Sequence, residues 1–237
     1  MERLSASQKI KEAVKCDKEK EYNTAVKLYI EGIDLLQPIL KEAKSSSEQD
    51  VFRKKIEEYT ERVIQIEDIL KKIEREKRVT CIRISDGETG FSYGTLFGEY
   101  LDRSIQRVEI DDPYIRASHQ VMNLVKLCEL LIHKTSVKQI TVVTTRDQEE
   151  REKDQLIRLA DLKSDLSSHG ITLEYSFSTT LHDREIRFDN GWVIKIGRGL
   201  DYFKPMKSQF QIGFCDMDLR PCQATAVEIY NSKYVLT

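Results

Sequence analysis

The chain has 237 residues, with 38 Lys+Arg against 40 Asp+Glu and a formal net charge of −2. Near-neutrality excludes a globally basic nucleic-acid binder, so no nucleic-acid partner is expected. The 40% apolar content is enough to build a core and excludes wholesale disorder.

The five cysteines, at positions 16, 81, 128, 215 and 222, are odd in number and form no C-x-x-C pair. With no secretory leader in MERLSASQKI, this predicts a reduced cytosolic protein with no disulfide scaffold, no metal site and no cofactor. No run approaches the ~18 apolar residues that a membrane span needs, so membrane contact is expected to be peripheral. Composition changes near residue 78. Residues 1–78 hold only Gly32 and Pro38, whereas the other nine glycines and three prolines follow. Two domains are predicted, 1–78 and 79–237.

The first half parses into three helices. Ser5 and Gln8 form a candidate capping box before Ile10, Ala13 and Val14. After a polar break at Asp17–Glu21, Asn23 is the candidate N-cap of a helix with two apolar stripes, Ala25/Leu28/Gly32/Leu35/Ile39 and Val26/Tyr29/Ile33/Leu36/Leu40. Pro38 is expected to bend or end it. Lys44–Glu48 reads as a loop. Phe52, Ile56, Tyr59, Val63, Ile66, Leu70 and Ile73 then follow in a regular a/d seam. These positions are explained first by a three-helix core, which leaves a groove between the second and third helices that an amphipathic partner helix could fill.

The order Lys9–Lys20, Tyr22-Asn23-Thr24-Ala25, Leu28-Tyr29 and Gly32-Ile33, followed by Lys55–Val63, resembles the MIT (microtubule-interacting and trafficking) domain. That resemblance implies binding of leucine-bearing, arginine-rich carboxy-terminal helices of ESCRT-III subunits, the charged multivesicular body proteins. It assigns them to Ile33, Leu36, Glu57, Thr60, Glu61, Ile64, Glu67 and Asp68. Leucines would enter the groove, and rim carboxylates would pair with arginines. Thr60 departs from the family's usual Leu or Met, which weakens one pocket by ~1–2 kcal/mol. Glu61 reads either as the acidic rim position or as a solvated charge.

In the second half, Val108-Glu109-Ile110 reads as a strand and 117–133 as an apolar helix. Ile140–Val143 is a buried strand, 149–168 a charged helix ended by His169-Gly170, and Ile171–Phe177 another strand. Ile186–Phe188 and Trp192–Ile196 flank the turn signal Asp189-Asn190-Gly191. The fold class is therefore multidomain: an all-α three-helix bundle followed by an α/β domain with a mixed sheet.

His182, Arg184 and Asp189 form H-x-R-x4-D, which resembles the H-x-K-x4-D signature of the phospholipase D superfamily with Arg for Lys. On a strand, His182 and Arg184 would face one phosphate together. The superfamily uses two histidines, one nucleophilic and one acidic, from two motif copies. Here His119, His133 and His169 are followed two residues later by Val121, Thr135 and Ile171, and Gly197 is followed by Arg198. The motif is read as vestigial, with non-catalytic phosphate or lipid recognition preferred, a purely structural relic next, and a dimeric phosphodiesterase acting on lipid or nucleic acid last.

An MIT-like domain joined to a phospholipase D-like domain resembles the MIT-domain-containing protein 1 family. Thr89–Tyr93, Asp112–Arg116 and Gly191–Phe203 agree further. This implies a homodimer through the C-terminal domain, recruitment to ESCRT-III in cytokinetic abscission, and peripheral binding to acidic phospholipids. The implied location is cytoplasmic, with peripheral attachment at late endosomes, the midbody and the plasma membrane during cytokinesis. Lys195, Arg198, Lys204 and Lys207 accompany Tyr202 and Phe203, so cations would meet headgroups while rings enter the interface. Gly197-Arg198-Gly199 is a lone G-x-G and gives no nucleotide site.

Overall fold

A computed structural model describes residues 2–234, with side chains from Leu4 onward. The chain divides into two compact units, 1–76 and 77–237. The first holds α1 (Glu2–Lys18), α2 (Tyr22–Glu42) and α3 (Ser46–Glu76).

All seven seam residues of α3 are buried or half-buried, with Val63 and Ile66 deepest. Ile56, Tyr59, Val63, Ile66 and Leu70 close over Ile10, Ala13, Ala25, Leu28 and Tyr29, while Phe52 packs with Ala6, Leu36 and Ile39. Asn23 is not the N-cap. Lys20 adopts a left-handed φ of 63°, and Glu21 N–H and Lys20 N–H donate to the Cys16 and Asp17 carbonyls. This Schellman-type closure of α1 starts α2 one residue before Asn23, with no side-chain cap. Pro38 does not end α2 either, because it lies in the exposed last turn, where water can replace the missing donor. The connection to α3 is shorter than the predicted loop, since Ser45 Oγ accepts from Glu48 N–H and the helix begins at Ser46.

The second unit is built on a mixed sheet in the order β1-β7-β6-β5-β2-β3-β4. Its strands are β1 (Thr80–Ile84), β2 (Arg107–Asp111), β3 (Gln139–Thr144), β4 (Thr172–Phe177), β5 (Glu185–Phe188), β6 (Trp192–Ile196) and β7 (Thr225–Asn231). β2, β3 and β4 run parallel, joined by α5 (Ser118–Lys134) and α6 (Glu149–Ser168). β5, β6, β7 and β1 add antiparallel pairs. α4 (Tyr93–Phe97) precedes β2.

One sheet face packs Val108, Ile110, Ile140, Val142, Ile186 and Ile194 against Leu124, Leu127 and Leu159 of the helices. The opposite face carries Glu109, Arg187, Lys195 and Glu228. Arg187 bonds Glu109 (3.0 Å), Asp111 (2.8 Å) and Glu185. Burial opposes its charge, but those carboxylates outweigh it and raise its pKa further. No described helix is long and apolar enough to cross a membrane.

Candidate functional site

Where β5, β6 and β7 meet, a cavity of about 290 Å³ is lined by His182, Asp183, Arg184, Lys195, Gly197 and Glu228, among others. β5 begins at Glu185, so His182 and Arg184 stand on the approach to the strand and not on it. His182 is solvent-exposed and, among the described residues, is the one imidazole in the lining.

Arg184 is committed to its own chain. One terminal nitrogen donates to the Gly197 carbonyl and the other to Tyr114 Oη at 3.2 Å, with the guanidinium carbon 4.7 Å from the Tyr114 ring centre. Its Nε is buried and has no partner among the described residues. The guanidinium expected to face a phosphate beside His182 is therefore taken up by Gly197 and Tyr114 instead.

Asp189 lies at the far end of β5, in the hairpin turn, and accepts from Gln106 N–H and Arg107 N–H, each at 3.1 Å. It joins the start of β2 to the β5–β6 turn. The three motif residues are thus not brought together. His182 and Arg184 reach the cavity from one end of β5, the central strand, while Asp189 serves the turn at its other end.

The frame behind Arg184 is a buried polar bracket. Asp112, 2% exposed, accepts from Leu200 N–H (2.8 Å) and Tyr114 N–H (2.9 Å). Burial raises its pKa, and those two donors and Arg184 pull against the rise. Asp201 accepts from His119, Gln120 and Asn123 of α5. These carboxylates fix the segment after β6 that presents Gly197.

Lys195 faces Glu185 and Glu228 in the strand registers, 3.5 Å from the Glu185 carboxylate. Tyr230 and Glu185 hold its ammonium above the usual lysine range, against a smaller opposing effect of burial. Arg198 is exposed and bonds the Ala224 carbonyl. The cavity can therefore offer one imidazole and one ammonium to an anion. Among the described residues, no three His, Cys, Asp or Glu side chains cluster as metal ligands.

Tyr202 and Phe203 require a correction. They are 0% and 3% exposed, so neither ring can enter a membrane. They stack at 4.2 Å and meet Tyr93 of α4 edge-on at 5.8 and 5.6 Å, while Tyr202 Oη donates to the Phe91 carbonyl. Lys204 pairs with Asp86 at 2.6 Å, and Lys207 is exposed. Neither lysine lines the cavity.

In the helical unit, Ile33 and Leu36 are 9% and 8% exposed and pack inward, so neither stands on the outward face of α3; Leu36 reaches only a cleft between α1 and α3. Glu57, Thr60, Glu61, Ile64, Glu67 and Asp68 are all exposed, at spacings that place them on one face of α3. Ile64 is 54% exposed among four carboxylates. Thr60 Oγ donates to the Ile56 carbonyl, and Asp68 pairs with Lys71.

The apolar cleft of this unit lies elsewhere. About 330 Å³ opens between α1 and α3 over α2, lined by Ala6, Ile10, Leu36, Ile39, Phe52 and Tyr59 among others. The signal for it was present in the sequence: the large seam residues Phe52 and Tyr59 face an α1 whose matching residue is Ala6.

Comparison with known proteins places these features. Residues 4–68 match the model of the MIT (microtubule interacting and transport) domain. Residues 90–231 match the phospholipase D-like domain found at the C-terminus of MIT proteins. The chain is 44% identical over 230 residues to MIT domain-containing protein 1 of Mus musculus, covering 95% of this chain and 91% of that protein.

Proposed function

The chain belongs to the MIT domain-containing protein 1 family, and from that premise we propose that it is a non-enzymatic adaptor coupling ESCRT-III to anionic membrane. Its helical unit binds carboxy-terminal helices of charged multivesicular body proteins. Its C-terminal unit pairs with a second copy and contacts acidic phospholipid. It acts in cytokinetic abscission and at endosomal membranes, attached peripherally at late endosomes, the midbody and the plasma membrane.

The observation that carries this reading is the outward face of α3, where exposed Ile64 sits among Glu57, Glu61, Glu67 and Asp68. An apolar contact ringed by carboxylates suits a leucine flanked by arginines. At the sheet cavity, the Lys195 ammonium and a His182 ring N–H are donors open to a headgroup phosphate, beside the carboxylates of Asp183 and Glu228.

A phosphodiesterase has less support. Its chemistry needs two histidines at one phosphate, and among the described residues the cavity of one chain holds His182 alone, beside an Arg184 already engaged. The α1–α3 cleft supports a second docking place for the same kind of helix, because it is the more apolar surface.

Titration of arginine-rich, leucine-bearing tail peptides against the full chain tests the reading. Glu61→Lys combined with Ile64→Asp is expected to weaken binding at least tenfold. Loss of binding in Tyr59→Glu alone moves the site to the α1–α3 cleft, and no binding in the unaltered chain refutes the assignment.

A further inference from the structure

The most exposed large apolar side chains with described neighbours on both sides lie on one loop, Lys204–Asp216. Phe210 is 89% exposed and Ile212 82%, with Phe214 at 38%. We propose that this loop is the membrane-inserting element of the C-terminal unit, with Phe210 and Ile212 entering the acyl region of an anionic bilayer. The inference rests on the reading of this unit as the lipid-facing one and names the residues that make the contact.

The loop is built to present these side chains. Gln211, itself exposed, folds back over its own loop, where its Oε1 accepts from Lys207 N–H at 2.9 Å and Ser208 N–H at 3.3 Å. Phe210 N–H donates to Ser208 Oγ, and Phe214 N–H to the Gln211 carbonyl. Gly213, at φ 90°, lies so close to the returning chain after the 3-10 turn Met217–Leu219 that a Cβ would meet Arg220 Cα at 3.0 Å. The root is fixed by Lys204 N–H to Pro221 O, Arg220 Nε to Lys204 O and the bridge between Phe203 and Cys222. Three large apolar side chains exposed within five residues of one braced loop, Phe210, Ile212 and Phe214, form a patch of the kind that marks a contact surface.

Charge selects the occupant. From Tyr202 to Cys215 the sequence contains Lys204 and Lys207 and no acidic residue. Lys204 is held by Asp86, so Lys207 is the cation open to a headgroup. A convex apolar tip beside a cation matches the boundary between headgroups and acyl chains. A second copy is a poorer match, because a two-fold contact would set this cationic tip against its own image.

Flotation of the full chain with phosphatidylcholine vesicles, with and without phosphatidylserine, tests this. Phe210→Ser with Ile212→Ser is expected to weaken vesicle binding by about tenfold or more, since each side chain loses its apolar burial. Melting temperature and sedimentation should stay unchanged. In a parallel measurement, the indole introduced by Phe210→Trp should shift its emission to the blue on phosphatidylserine vesicles and be quenched by brominated acyl chains, over a constant background from buried Trp192.

Failure of the unaltered chain to float on either vesicle overturns the lipid-binding reading itself. Flotation undiminished in the Phe210→Ser, Ile212→Ser chain, or emission of the Phe210→Trp chain unmoved by vesicles, overturns the loop assignment and leaves the broader reading standing. A change of sedimenting mass in the serine variant makes the loop a self-association contact and also overturns it.

Discussion

Gly199→Ala tests the bracket that frames the sheet cavity. Gly199 has φ 64°, a region that costs an alanine ~1–2 kcal/mol. A Cβ there would also lie 2.6 Å from Asp112 Cγ, inside the ~3.5–4 Å of an ordinary contact. Asp112 must then move away from Leu200 N–H or Tyr114 N–H. Because it is 2% exposed, water does not replace the lost donor, which costs another ~1–3 kcal/mol. The sum is about 2–5 kcal/mol, or roughly 5–15 °C in melting temperature for a unit of this size. Gly170→Ala is the control: its φ is 72° but nothing lies within 4 Å, so it incurs the backbone strain alone. Thermal unfolding of the full chain followed by fluorescence of Trp192, its single tryptophan, reports the C-terminal unit selectively. If Gly199→Ala melts at or above Gly170→Ala, the Asp112 bracket is not a stabilising contact and the reasoning fails.

Phe203→Ala should lower the stability of the same unit by ~3–5 kcal/mol, as expected for a buried ring, where a membrane-facing ring would leave urea unfolding unchanged. Asp17→Asn addresses the helical unit, where Arg62 Nε and Nη2 bond the carboxylate at 2.7 and 2.8 Å and Tyr29 Oη adds a third bond at 3.3 Å. The expected loss at pH 7 is ~1–2 kcal/mol, kept modest because Arg62 remains part-exposed to water. The Arg62 hydrogen bonds hold Asp17 below the usual carboxylate range. Its contribution is therefore present above the unfolded value of ~3.9 and disappears as pH falls through the lower folded value. Urea unfolding followed by far-UV circular dichroism should show the difference between Asp17→Asn and the unaltered chain shrinking below about pH 4, and a pH-independent difference would exclude this pair as its source. For tail binding, Glu61→Lys alone should cost roughly two- to fivefold in affinity, the scale of one exposed ion pair, and lose its effect at high salt.

Local patterns were legible where one element decides its own state. The 4-3 spacing from Phe52 to Ile73 identifies α3 before any fold is known, and Asp189-Asn190-Gly191 marks the β5–β6 hairpin. β1, α4 and β7 were not legible in the same way. β1 and β7 pair with each other from opposite ends of the second unit, so neither is defined by its neighbours in sequence. The closure of α1 at Lys20 likewise depends on backbone geometry that no side-chain preference announces.

The sequence by itself determined the two-part organisation, the helical period of one part and the alternating period of the other, because periodicity is a property of consecutive residues. The tertiary structure alone decided which side chains reach solvent. Tyr202 and Phe203 read as a basic-aromatic surface segment, yet α4 covers them, while Phe210 and Ile212 project from a loop that Gln211 closes onto the Lys207 and Ser208 amides. Burial depends on what packs against a residue, and for this loop and for the His182–Arg184 approach those partners come from distant parts of the chain.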